Sequence, residues 1–177
     1  GAGSPRGSRV RGGGEGRRAA RGARESSPVG IGYAALEDST TGSQNTALGN
    51  YALYENIGGS NNTALGYVSL YNNTSGGSNT AVGDRSLFTA TSSNGNTALG
   101  AYSLYNHGEG FSTAVGYFAG YANTYAFANT AIGAYSQRDT TTGGGNTSVG
   151  YSSLYENITG EFNTVSGAFA MYDNLSG

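Results

Sequence analysis

The sequence has no cysteine, no tryptophan and no lysine, and His107 is its only histidine. Without cysteine, the chain can form neither a disulfide bond nor a thiolate metal site. Only 11% of the 177 residues are charged, and no apolar run approaches the roughly 18 residues of a membrane helix. These absences argue against a disulfide-stabilised domain and against insertion of this sequence into a membrane.

Catalytic groups are also scarce. His107 lies in the segment YNHGEG without a counterpart elsewhere, and we interpret it as a loop residue rather than a base. The glycine-rich segments 12–14 and 143–145 lack the lysine of a phosphate loop. We therefore predict a protein that is not an enzyme, with no catalytic residue and no cofactor. Because the chain begins with glycine and shows no secretory leader, we expect a processed chain or a fragment.

Charge divides the chain into two segments. Residues 1–27 form an arginine- and glycine-rich arm with a net charge of +5, whereas residues 28–177 carry −7. The arginines of the arm are Arg6, Arg9, Arg11, Arg17, Arg18, Arg21 and Arg24. We expect this arm to dock on the acidic body of a neighbouring copy. A flexible linker is the second interpretation, and a nucleic-acid-binding arm is ranked last because the arm has no aromatic residue for base stacking.

Residues 28–177 repeat every 17 residues, with one spacing of 16. The repeat centres on an Asn-Thr pair followed by a small residue, an aliphatic residue and, in every copy, a glycine. The asparagines are Asn45, Asn62, Asn79, Asn96, Asn129, Asn146 and Asn163, with Ser112 in the remaining position. The threonines are Thr46, Thr63, Thr80, Thr97, Thr113, Thr130, Thr147 and Thr164. Such a short period predicts one coil per repeat of a stacked structure.

We predict an all-β fold, a parallel β-solenoid of eight to nine coils. Glycine and β-branched threonine oppose helix, and each coil should hold a short strand, a glycine corner, a second short strand and a polar turn. Stacked coils would place identical residues in ladders, with asparagines bonding from coil to coil and tyrosines stacking. Because alternate strand residues share a face, we expect Thr46 and Leu48 to point inward and Asn45, Ala47 and Gly49 to point outward.

The segments TALGYVS (63–69), TAVGDRS (80–86) and TALGAYS (97–103) resemble part of the NSVAIGxxS repeat in the head domains of trimeric autotransporter adhesins. They are also similar to the Asn-Thr-Ala-(Val/Ile)-Gly repeats of some phage tail-fibre and related surface proteins. The resemblance implies a left-handed parallel β-roll, often trimeric, in an extracellular or cell-surface adhesive or fibre protein.

One column of the repeat is acidic. Asp38, Glu55, Asp139, Glu156 and Asp173 each follow the aromatic position, and the last three fall on consecutive coils. Asp139, Glu156 and Asp173 are therefore weak candidates for a calcium site, although a solvated turn is the preferred interpretation.

The leading functional hypothesis is an extracellular structural fibre or adhesin subunit. Its expected partners are copies of itself, as a head-to-tail filament or a homotrimer, and surface glycans are a further expected partner class. Two alternatives stay open. The threonine ladder could bind ice if it faces outward, and the aromatic columns of a viral or phage fibre could bind receptor glycans.

Overall fold

The structure is a computed structural model, and it describes residues 28–176. Nine strands form one parallel sheet in chain order. The strands are β1 (Val29–Ile31), β2 (Thr46–Leu48), β3 (Thr63–Leu65), β4 (Thr80–Val82), β5 (Thr97–Leu99), β6 (Thr113–Val115), β7 (Thr130–Ile132), β8 (Thr147–Val149) and β9 (Thr164–Ser166). The predicted β-solenoid with coils of about 17 residues is confirmed. In the described residues, no helix is long and apolar enough to cross a membrane.

Neighbouring strands pair in register, so each residue of the repeat lies above its own counterpart. Thr63, for example, lies opposite Thr46 on one side and Thr80 on the other. The single 16-residue spacing does not disturb this register, because Thr97 still pairs with Thr113. The deleted residue is therefore absorbed in the turn that precedes Ser112.

The second strand expected in each coil is not formed in residues 28–176. After the glycine corner, alternate residues adopt left-handed backbone conformations, such as Tyr51 at a φ of 58° and Leu53 at 52°. A strand requires consecutive extended residues, so this alternation excludes one. The coils still bond to each other here, because the Leu53 amide donates to the Ser69 carbonyl at 3.0 Å.

The predicted inward and outward faces of the strands are wrong. In each strand from β2 to β9 the middle residue is buried, while the flanking residues, including Thr46 and Leu48, are exposed or half-buried. The interior is filled instead by the column of Leu36, Leu53, Leu70, Leu87, Leu104 and Leu154, packed against the strand alanines. Since these leucines occupy the space opposite the sheet, the strands can contribute only small side chains to the interior.

The glycine that ends each strand is required by the close stacking of the coils. Gly66 has a φ of +137°, and a Cβ built on it would lie 2.5 Å from the carbonyl oxygen of Gly83 in the next coil. Only glycine fits both this backbone conformation and this approach. The prediction that these invariant glycines form close-stacked corners is confirmed.

The asparagines of the repeat lie inside the solenoid and link its coils. The side-chain oxygen of Asn62 accepts a hydrogen bond from the Asn79 amide at 2.9 Å, and its Nδ2 donates to the Gly76 carbonyl at 2.8 Å. Asn45, Asn79 and Asn146 make the same pair of contacts with the following coil. We call this column the asparagine ladder. It bonds backbone groups that burial would otherwise leave without partners.

Candidate functional site

The outward side chains of β1–β9 form a continuous surface that we call the outer sheet face. One of its two columns is the threonine column. The second, the aliphatic column, comprises Ile31, Leu48, Leu65, Val82, Leu99, Val115, Ile132 and Val149, followed by Ser166. Because the pairing stays in register throughout, both columns are continuous. With strands about 4.8 Å apart, they run for roughly 38 Å.

The outer sheet face carries no charged residue. Leu48, Leu65, Ile132 and Val149 are each about 40% exposed, and no other part of residues 28–176 covers them. Scattered apolar residues on a surface are ordinary, but a contiguous apolar patch larger than a few hundred Å² is typical of an interaction site. The arrangement therefore suits burial against another regular surface.

A column of stacked rings lies on the part of the coil that follows the buried leucines. We call it the aromatic stack: Tyr54, Tyr71, Phe88, Tyr105 and Tyr121, then Tyr155 and Tyr172. Neighbouring ring centroids are 4.7–5.6 Å apart, with interplanar angles of 8–24°. Each interior ring has both of its faces covered by its neighbours. The interior rings of the stack therefore cannot bind a sugar through their faces. This counts against the aromatic stack as the glycan site of a viral or phage fibre.

Arginine replaces an aromatic residue at one position of the aromatic stack. Arg138 lies between Tyr121 and Tyr155, its guanidinium carbon is 5.2 Å from the centre of the Tyr155 ring, and its Nη1 bonds the Tyr155 hydroxyl. Its pKa is raised by the Tyr155 hydroxyl and by Asp139, against the opposing effect of desolvation, which is the largest influence. A planar guanidinium can thus fill the place of a ring through a cation–π contact.

Four tyrosines directly after the glycine corner form a second feature, which we call the tyrosine row: Tyr33, Tyr67, Tyr117 and Tyr151. Their side chains are 47–57% exposed. The rings stand nearly perpendicular to those of the next residue column. Tyr117, for example, makes angles of 89° with Tyr102 and 88° with Tyr135. This row was not predicted from the sequence, although a Gly-Tyr pair directly follows four of the nine strands.

His107 lies in irregular structure, as expected of a loop residue, but its side chain is buried inside the solenoid. It occupies the interior column that holds Asn73, Asn123 and Asn157 in other coils. Its Nδ1 lies 2.9 Å from the Asn123 carbonyl oxygen, and its Nε2 lies 3.1 Å from Oδ1 of Asn96. Burial lowers the pKa of His107 to about 4, partly opposed by hydrogen bonds to backbone carbonyls. The neutral ring has only one N–H, so it donates to only one of these oxygens.

The acidic column shows no geometry of a metal site. In residues 28–176, no group of three or more His, Cys, Asp or Glu side chains is arranged to hold a metal ion. Asp139 lies 3.4 Å from the Arg138 guanidinium, and Glu156 pairs with Asp173 only through a backbone bridge. The structure therefore does not assemble Asp139, Glu156 and Asp173 into a calcium site.

The basic arm, residues 1–27, lies outside the described residues. The described body holds nine carboxylates and only two arginines, and both arginines, Arg85 and Arg138, pair with the adjacent aspartates Asp84 and Asp139. Docking of the arm on this acidic body stays a prediction, which weaker assembly at higher salt would support.

No protein-family model, no curated protein and no solved structure matches the chain.

Proposed function

We propose that this chain is a non-enzymatic structural fibre or adhesin subunit that self-associates side by side through the outer sheet face. The observation that carries this proposal is the continuous, uncharged aliphatic column, exposed beside an equally regular row of threonines. Burial of such a surface is favourable in proportion to the apolar area removed from water. The threonine hydroxyls can bond to one another or to interfacial water at the edge of the contact.

A second copy of the chain is the partner that this surface suits best. The aliphatic side chains recur at the strand spacing, and an identical sheet has the same spacing and the same columns. A partner without this period would meet only a few of the side chains in register. Symmetric assembly of identical chains is also the commonest kind of oligomer. The resemblance to trimeric autotransporter heads favours three copies, and with it an extracellular or cell-surface location.

The solenoid suits a protein that bears mechanical load or presents a repeated surface. Each coil contacts only its neighbours, and adjacent coils are joined by backbone bonds, the asparagine ladder and the aromatic stack. Such a rod repeats the same surface along its length, as an adhesive fibre requires. The buried and stacked residues thus serve the rod, while the outer sheet face serves its assembly.

Measurement of molecular mass in solution tests the proposal. We expect the full chain to sediment as a discrete oligomer, with a homotrimer as the first expectation, and Leu65→Lys combined with Ile132→Lys to yield monomers. A charge at these positions would have to be buried without a partner on association. Circular dichroism should show that the variant keeps its fold, because both side chains already face outward.

Ile57→Lys is the matched control. Ile57 is 52% exposed, more than Leu65, but lies on the turn side of the coil. The control should retain the parent oligomer. A monomeric parent at high protein concentration, or an oligomer that survives the Leu65 and Ile132 substitutions, would refute association through this face.

Ice binding is a second candidate, because the threonine column faces outward at regular strand spacing. A thermal hysteresis gap in the parent that Thr97→Lys abolishes would support it. The candidate ranks below self-association because large aliphatic side chains, not a second threonine column, occupy the other half of the face.

A further inference from the structure

We propose that the tyrosine row is a binding site for an extended, β-1,4-linked polysaccharide such as cellulose or chitin, lying parallel to the solenoid axis. The site comprises Tyr33, Tyr67, Tyr117 and Tyr151. It is separate from the outer sheet face, because the glycine corner turns the chain between the two.

The orientation of the rings is the first argument. The rings in the neighbouring column stack along the rod, with centroids of Tyr102 and Phe118 4.8 Å apart and an interplanar angle of 18°. Tyr117 lies at 71–89° to the rings of Tyr102, Phe118 and Tyr135. Its ring is therefore held by nearly perpendicular contacts with all three, while the residue stays 47% exposed.

The other members of the row also lie nearly perpendicular to an aromatic neighbour. Tyr33 is at 74° to Tyr51, and Tyr151 is at 79° to Tyr135. Tyr67 is at 81° to Tyr51, and the Arg85 guanidinium lies 5.6 Å from the centre of its ring. Each of the four exposed rings is therefore held by a nearly perpendicular contact with a neighbouring ring. This contrasts with the aromatic stack, whose ring faces are covered.

The spacing of the row is the second argument. Tyr33 and Tyr67 are two coils apart, as are Tyr117 and Tyr151, which corresponds to about 10 Å in each pair. Tyr67 and Tyr117 are three coils apart, or about 14 Å. The sugar residues of an extended β-1,4-linked chain repeat at nearly the same interval as the coils. Such a chain could place a sugar ring over all four tyrosines.

The chemistry of the contact fits a sugar better than a charged ligand. The face of an aromatic ring carries a partial negative charge, which attracts the weakly positive C–H groups on the face of a pyranose. Two charged residues lie beside the row: Asp84 directly follows a glycine corner, and Arg85 comes next in the chain. Their side chains pair with each other at 3.1 Å. Hydroxyl groups at the sugar edge would meet the tyrosine hydroxyls and water.

Depletion of the full chain from solution by insoluble polysaccharide tests the proposal. The probes are microcrystalline cellulose and chitin, with granular starch as the control because its α-linked chains coil and do not extend. We expect saturable binding to cellulose or chitin and none to starch. Tyr67→Ala combined with Tyr117→Ala should weaken binding on the order of tenfold. Tyr117→Phe should keep it, because the ring face is retained.

Phe111→Ala is the matched control, since Phe111 is 74% exposed but lies outside the row. It should bind like the parent. The proposal is overturned if the parent binds neither cellulose nor chitin, if the double variant binds as well as the parent, or if Phe111→Ala loses as much. The sedimentation mass of the double variant should equal that of the parent, so this outcome is separable from failure of self-association.

Discussion

No side chain other than His107 has an ordinary pKa near neutrality. Burial of His107 should therefore make the free energy of unfolding depend on pH. Burial lowers its pKa to about 4 in the folded chain, against an ordinary value of about 6.5 when unfolded. Between these values the unfolded chain binds a proton that the folded chain does not. The contribution is therefore fully present above pH 6.5 and is lost as the pH falls towards 4. Each pKa unit corresponds to about 1.4 kcal/mol, so the loss should reach roughly 3 kcal/mol.

Urea unfolding of the parent and of His107→Asn at pH 7.5 and pH 4 measures this effect. Asparagine is the appropriate replacement because Asn73, Asn123 and Asn157 occupy the same interior column. Carboxylates also titrate in this range, but they are common to both proteins and drop out of the comparison. We expect the parent to lose about 3 kcal/mol more than the variant between the two pH values. If the free energy of unfolding fell equally in both proteins, the assignment of His107 as a buried, neutral side chain would be refuted.

Three substitutions test the interior of the solenoid by urea or thermal unfolding. Gly66→Ala should destabilise the fold by about 3 kcal/mol or more, because it combines backbone strain with a clash against Gly83. Leu87→Ala should cost 2–5 kcal/mol, the usual range for a fully buried leucine. Ser112→Asn should stabilise the fold by about 1 kcal/mol, because an amide there can donate to the Ala126 carbonyl as other ladder asparagines do.

Two of these substitutions, Gly66→Ala and Ser112→Asn, have a control in another coil. Gly58→Ala should be nearly neutral, because a Cβ there would meet only the Thr41 hydroxyl at 3.4 Å. Asn146→Ser reverses the change at position 112 and should destabilise, since Asn146 donates to the Gly160 carbonyl at 2.8 Å. A neutral Gly66→Ala or a stabilising Asn146→Ser would contradict the stacking described above.

The architecture could be predicted because a fixed 17-residue period admits few structures. The invariant glycine column identified the corner, and the tyrosine column identified stacked rings, since both depend on one residue lying above its counterpart. The prediction of a second strand was wrong for a different reason. Tyr51 and Leu53 adopt left-handed backbone conformations, and no glycine marks these positions in the sequence. Residue type alone therefore did not reveal that part of the coil.

The prediction of the strand faces was wrong because the repeat holds two aliphatic columns, those of Leu48 and Leu53, and the interior has room for only one. Alternation within the strand is equally consistent with Leu48 inside or Ala47 inside, and hydrophobicity favoured Leu48. The deciding fact is that Leu53, five residues later, already fills the interior. The signal was present in the repeat: the Ala47 column admits only small residues until Val165, whereas the Leu48 column varies among Leu, Val and Ile.

The asparagine ladder has a direction. Most of its side chains bond the coil that follows, as Asn45 does with the Gly59 carbonyl and the Asn62 amide, whereas Asn163 donates back to Oδ1 of Asn146. Most turns are therefore held by the coil before them. Loss of one coil then weakens the turn on its C-terminal side more than the turn on its N-terminal side. Mechanical or thermal unfolding of the rod should accordingly spread in one preferred direction along the chain.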